Sequence, residues 1–318
     1  MSMDKLIRAN AEKKNPTVVG LDPKLSYLPS FLKEEAFTRC GANLEGAAEA
    51  VLAFNKAIID AVADVVPAVK PQAAYYEALG WPGVRTLYET VRYARENGLY
   101  VILDGKRNDI GTTMQAYADA YLGTTQVEGT AFEPFPADAL TVNAYLGTDG
   151  IAPLLTHCRA RDKAVFALVK TSNPSSGELQ DLYLEASDAA GARQTVYDHM
   201  GDACEAWGAD DIGTYGYSPV GAVVGATYPA QLAELRARLP HTFFLIPGYG
   251  AQGGGAKDVA GGFDARGLGA IVNSSRGILC AWQKTGAAEA DFAKAARAEA
   301  IRMREDLLSA VPVPALAE

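Results

Sequence analysis

Histidine and cysteine are scarce here, three and four among 318 residues. His157, His199 and His241 are dispersed, and Cys40, Cys158, Cys204 and Cys280 form no CxxC pair. That spacing argues against a zinc site or a histidine-based triad, and it fits reduced, buried thiols. Positive charge is also in deficit: 29 Lys and Arg against 38 Asp and Glu give a net −9. Broad binding to nucleic acid or to an anionic membrane needs a basic face, so neither is expected. A small anion needs only a local cluster and stays open. No apolar run reaches the roughly 18 residues of a membrane span. The opening MSMDKLIRANAEKKNP lacks the apolar core of a signal peptide, so the expected compartment is the cytoplasm.

What the chain has is a full supply of core residues, 49% hydrophobic against 21% charged. They are arranged in a repeated alternation. Eight short β-branched or apolar runs recur: Thr17 to Asp22, Ala68 to Gln72, Tyr100 to Lys106, Ala139 to Asn143, Ala164 to Ser172, Gly221 to Ala226, Thr242 to Gly248 and Gly269 to Ser275. Near-continuous apolar runs read as strands buried on both faces. Helical spacing lies between them, as in Gly46 to Val65, Gly83 to Asn97 and Pro229 to Leu239. Eight such units predict a single-domain α/β fold, the (β/α)₈ TIM barrel, over residues 1–318. Two connections exceed a simple turn, one near 23–43 and one near 173–220. The second contains a helix-like stretch from Thr195 to Trp207. Both follow strands, which puts them on the catalytic face. The Pro- and Ala-rich tail AVPVPALAE is expected to fray.

In a barrel, polar residues at the C-terminal strand ends are the first suspects for chemistry. Asp104 and Lys106 are two apart, so on a strand both face the barrel mouth. Asp109 follows, and Lys70 on the preceding strand reaches the same space. An ion-pair network that only stiffens the mouth, with Asp109 capping a helix, fits this spacing too. PGYGAQGGG, from Pro247 to Gly255, follows the seventh run and exposes backbone N–H groups. Ser275 and Arg276 follow the eighth. Barrels commonly hold phosphate between these two loops, and Arg276 adds a bidentate cation. Ser172 and Asn173, after the fifth run, offer hydrogen-bond groups to an uncharged planar edge, although a plain Asn-Pro turn fits as well.

These segments resemble a known family. DGKRNDIGTT is similar to the DxKxxDI signature of orotidine 5′-phosphate decarboxylase. The likeness extends through GLDPKLSYLP, FNKAIID, VKPQAAYYEALG, TSNP, PGYGAQGG and NSSRGI, in the manner of the longer bacterial (type 2) subgroup. It implies decarboxylation of orotidine 5′-phosphate to uridine 5′-phosphate in pyrimidine biosynthesis, with no metal and no organic cofactor. By resemblance, Asp22 and Lys70 bind ribose hydroxyls, Lys106 donates the proton and Asp104 stands beside the leaving carboxylate. Asp109, with Ile110 and Thr113, comes from the neighbouring subunit of a homodimer with shared sites. Ser172 meets the pyrimidine edge, and Gln252 and Arg276 grip the phosphate. Ser275 replaces a glycine of some members. Two other readings compete: a Mg²⁺-dependent sugar-phosphate lyase on the same barrel, and a non-catalytic barrel that binds a phosphorylated ligand. TSNP and DIGTT favour the pyrimidine reading. The role of the 173–220 insertion is not implied by the family pattern.

Overall fold

The computed structural model describes residues 2–187, 193–250 and 254–316. Eight parallel strands close into a barrel in strictly sequential order. They are β1 (Thr17–Leu21), β2 (Ala68–Pro71), β3 (Tyr100–Arg107), β4 (Ala139–Val142), β5 (Ala164–Lys170), β6 (Val220–Val224), β7 (Phe244–Ile246) and β8 (Ala270–Ser274). All eight coincide with the runs expected from sequence. The helices Leu44–Val62, Gly80–Glu96 and Pro229–Arg238 also form as expected.

Alternation along each strand builds two cores. Val18, Ala68, Ile102, Ala139, Phe166, Leu245 and Ile271 fill the barrel interior. Val19, Val69, Val101, Leu140, Val165 and Val272 face outward to the helices. The helix Leu44–Val62 shows why that layer forms. Asn43 Oδ1 caps it by accepting from Gly46 N at 3.0 Å, and Phe54, Ile58, Ile59 and Val62 are fully buried. Each such side chain contributes about 1.5–3 kcal/mol.

The bottom of the barrel is closed by Ser2–Lys13, a helix the sequence reading did not anticipate. Its Met3, Leu6 and Ile7 have no exposure and join the interior core. The tail also differs from expectation. Val311 and Pro314 are buried, and Ala315 N donates to Arg266 O at 3.0 Å, so the segment through Leu316 is docked rather than frayed.

Residues 23–43 hold a single 3₁₀ turn and the helix Ser30–Cys40. Residues 173–220 hold a 3₁₀ turn (Pro174–Glu178), an antiparallel pair (Tyr183–Ser187 with Arg193–Thr195) and the helix Val196–Gly208. Thr195 and Asp198 form a capping box at that helix. A further hairpin, Thr125–Val127 with Thr130–Phe132, was not foreseen. The four cysteines are free thiols. Burial pushes Cys158 and Cys204 up to about 12, which makes them inert. No helix among the described residues is long and apolar enough to cross a membrane.

Candidate active site

The residues expected at the strand ends meet at the barrel mouth. Interior-facing alternation carries Lys70 on β2, Asp104 on β3 and Thr141 on β4 into one layer. Asp104 sits between two ammonium groups: Lys70 Nζ lies 2.6 Å from Oδ2 and Lys106 Nζ 2.6 Å from Oδ1. Thr141 Oγ1 adds a third hydrogen bond to Oδ1 at 2.8 Å. Lys70 and Asp104 are buried, whereas the Lys106 side chain is 45% exposed.

Alternation aims Lys106 inward with Asp104, but the backbone that carries it is irregular. The β3–β4 register shifts between Leu103 and Arg107, and Lys106 adopts φ +46°. The left-handed region is costly for any residue but glycine. Four residues of β3 advance here against two of β4, an irregularity that bends the strand where Lys106 leaves it. Lys106 N donates to Thr141 Oγ1 at 3.0 Å, which fixes the bulged backbone against β4.

Electrostatics reinforce the array. Burial alone would raise the Asp104 carboxyl, but Lys70 and Lys106 override it and hold it well below the ordinary carboxylate range. Burial likewise opposes the charge on Lys70, yet Asp104 and then Asp22 outweigh it and raise its pKa. Both groups are therefore charged across the neutral range.

Two cavities open on this mouth. One, of about 400 Å³, is lined by the charged array together with Thr171, Ser172, Asn173 and Pro247. The other, of about 360 Å³, is lined by Asp22, Tyr75, Asn273, Ser275 and Arg276. Ser172 and Pro247 stand in both walls, so the cavities adjoin. Gly225 allows the Ser172 backbone to approach, since a Cβ there would lie 2.9 Å from Ser172 N. Asp22 Oδ1 and Asn273 Oδ1 are buried without a hydrogen-bond partner. Unsatisfied acceptors on two residues of this cavity's wall suit a ligand that brings hydroxyl donors. Arg276 is exposed and forms no ion pair with a described residue, as an anion site requires. Its helix, Arg276–Leu279, is a single turn, so the guanidinium rather than a helix dipole provides the attraction. Ser275 packs over Gly20, where a Cβ would lie 1.8 Å from the serine Oγ.

Three predicted residues stand apart from the array. Asp109 is half-buried at the rim and accepts from Ile110 N at 2.8 Å, while Ile110 and Thr113 are exposed. The helix that follows begins at Gly111, with Ile110 rather than Asp109 as its cap. Gln252 lies outside the described residues. Thr141, Gln180 and Asn273 were not singled out from sequence, although a lone threonine inside the apolar run ALTVN was a usable signal. Among the described residues, no three His, Cys, Asp or Glu side chains are grouped to hold a metal ion.

Comparison with known proteins bears on this geometry. Residues 18–290 match the model of the orotidine 5′-phosphate decarboxylase / HUMPS family. The orotidine 5′-phosphate decarboxylase of Rhodopirellula baltica is 46% identical over 295 residues, covering 92% of this chain and 93% of the relative. The protein of the same name from Caldicellulosiruptor bescii is 36% identical over 308 residues, covering 97% and 98%. Among solved structures, the Leishmania donovani OMP decarboxylase superposes with a TM-score of 0.68 at 31% identity, covering 97% of this chain and 98% of that one.

Proposed function

The chain belongs to the orotidine 5′-phosphate decarboxylase family, and from that premise we propose how its own residues carry out the reaction. It is a carboxy-lyase that converts orotidine 5′-phosphate to uridine 5′-phosphate in pyrimidine biosynthesis. The observation that carries the residue assignment is the Lys70–Asp104–Lys106 array beside a cavity that adjoins Arg276.

In this reading the phosphate rests on Arg276, with Pro247 on the neighbouring loop and with Gln252 as a further phosphate contact. The ribose hydroxyls meet Asp22 and Lys70, and the pyrimidine edge meets Ser172 and Asn173. Ser275 contributes its backbone N–H to the phosphate side. The substrate carboxylate then lies beside Asp104, which stays ionised because two lysines hold its pKa down. The C6–carboxylate bond breaks, its electron pair stays on C6, and carbon dioxide leaves. The Lys106 ammonium stabilises the developing carbanion and delivers its proton to C6; solvent restores the proton to Lys106. Binding energy at the phosphate, remote from C6, organises these charges.

Asp109 completes the site of a second copy across a two-fold axis, with Ile110 and Thr113. The rim supports this: Ile110 beside Asp109, and Tyr145 and Leu146 after β4, are exposed apolar residues, 51%, 75% and 46%, and Leu146 and the Asp109 backbone both lie close to Gly150. A homodimer would cover them. We read 1–318 as one barrel domain with insertions near 23–43 and 173–220, working in the cytoplasm without a cofactor.

The test is the loss of orotidine 5′-phosphate absorbance with purified protein, with and without EDTA. Turnover unaffected by EDTA is expected. Turnover abolished by EDTA would favour the metal-dependent lyase, and binding without turnover the non-catalytic barrel.

A further inference from the structure

The charge array leaves residues 173–220 without a task, yet the start of that insertion returns to the barrel mouth. Gln180 Oε1 accepts from Thr171 N at 2.9 Å, and Gln180 Nε2 donates to Thr171 Oγ1 at 2.8 Å. The Thr171 hydroxyl donates in turn to Asn173 Oδ1 at 2.6 Å. Gln180 thus lines the cavity that holds Lys70, Asp104 and Lys106. A primary amide accepts from an N–H and donates to a hydroxyl at once, which neither a carboxylate nor a thioether does.

The next residue explains why Gln180 stays there. Asp181 Oδ1 meets Lys170 Nζ at 2.6 Å, and Ser176 Oγ accepts from the same ammonium at 3.3 Å. The Lys170 side chain has no exposure, and its Nζ lies 4.6 Å and 5.4 Å from the Tyr228 and Tyr197 ring centroids. The β5–β6 register shifts at Val223/Val224, where Val224 pairs with Lys170. Lys170 is thereby taken out of the catalytic cavity and set under the insertion. A cation so buried is tolerated only when paired and roofed in this way.

We propose that Gln180 is a positioning residue for the pyrimidine. It fixes Thr171 so that Ser172 and Asn173 present their polar edge to the base, while the Lys170–Asp181 pair holds the insertion in place. This rests on the decarboxylase reading of the site and gives the insertion its role.

The test compares wild type with Gln180→Met, Thr171→Val and the double variant. The readouts are kcat and KM for orotidine 5′-phosphate and inhibition constants for uridine 5′-phosphate and for ribose 5-phosphate, which lacks the base. Gln180→Met should raise KM and the uridine 5′-phosphate constant about tenfold, roughly 1.4 kcal/mol. The ribose 5-phosphate constant should stay within about twofold of wild type, since a tenfold change there needs a lost phosphate contact. The double variant should match the worse single, because both lesions act through one threonine. Equal weakening of both inhibitors, or fully multiplicative penalties, would overturn the proposal. If Gln180→Met does not fold, Gln180→Glu keeps the acceptor for Thr171 N, loses the donor, and carries the same comparison. Wild-type protein without turnover would overturn the decarboxylase reading and this inference with it. Normal wild-type turnover with unshifted constants in the variants would overturn the inference alone.

Discussion

Lys106 combines a functional position with an unfavourable backbone, and the two can be separated by comparing Lys106→Gly with Lys106→Ala. At φ +46° an L-residue costs about 1–2 kcal/mol. Glycine removes that cost; alanine keeps it. Both variants lose the ion pair to Asp104, but the Lys106 side chain is 45% exposed, so that loss is discounted to about 0.5–1 kcal/mol. Asp104 retains Lys70 and Thr141 in either case. The alanine variant should therefore fall about 0.5–1 kcal/mol below wild type. The glycine variant should lie within about 1 kcal/mol of wild type and above the alanine variant, even after about 0.5–1 kcal/mol for its greater freedom when unfolded. In an ordinary strand the order is the reverse. Urea unfolding with the slope held common gives the comparison directly. Both variants should lose more than nine-tenths of kcat, about 1.4 kcal/mol of barrier or more. An alanine variant more stable than the glycine variant would refute the strained bulge, and substantial residual kcat in either would refute Lys106 as proton donor.

Asp104→Asn should cost more stability than either Lys106 variant, about 3–5 kcal/mol, because it strips the carboxylate from the buried Lys70. Asp104 has a depressed pKa, so its contribution is present above the ordinary value of about 3.9 and lost as pH falls below it. Lys70 has a raised pKa, so its contribution persists to above pH ~10 and is lost only at higher pH. Denaturation midpoints should accordingly show no loss from this pair between about pH 5 and 8, and the acid slope below about pH 4 should be weaker in Asp104→Asn. Arg276→Ala should raise KM at least tenfold, since a charge-assisted bond contributes about 1.5–3 kcal/mol. Orotidine without phosphate should react equally slowly with wild type and variant, and a loss common to both substrates would remove Arg276 from the phosphate site. Mixing inactive Lys106→Ala with inactive Asp109→Ala should restore about a quarter of wild-type activity once subunit exchange is confirmed by mass, since half the dimers then carry one intact site; no recovery after exchange would rule out a shared site.

The parts of this site that sequence makes visible and those it hides differ in a physical way. The eight strands were legible because burial on both faces forces apolar runs such as AVFALV and YVIL, and the helices between them carry their own spacing. Asp104 and Lys70 were legible because strand parity places them in the interior. Lys106 was reached for an incomplete reason. Parity aims it inward, but from an irregular backbone with a positive φ, which no pattern in DGKRN announces. The same limit applies to Lys170, which shares the parity of Phe166 and Leu168 yet leaves the interior at a register shift. Gln180 and Asn273 were hidden for another reason: one arrives from an insertion, and the other is a single amide in a buried strand. The polar Ser2–Lys13 helix misled because its charged residues mask the Met3, Leu6 and Ile7 face that closes the barrel. Register shifts thus stand at the mouth on both β3 and β5, and the second turns Lys170 toward the insertion that walls the substrate cavity. Regular alternation along β5 would have placed Lys170 in the same space as Lys106. Its removal at the β5–β6 register shift keeps the catalytic array at two lysines around one carboxylate.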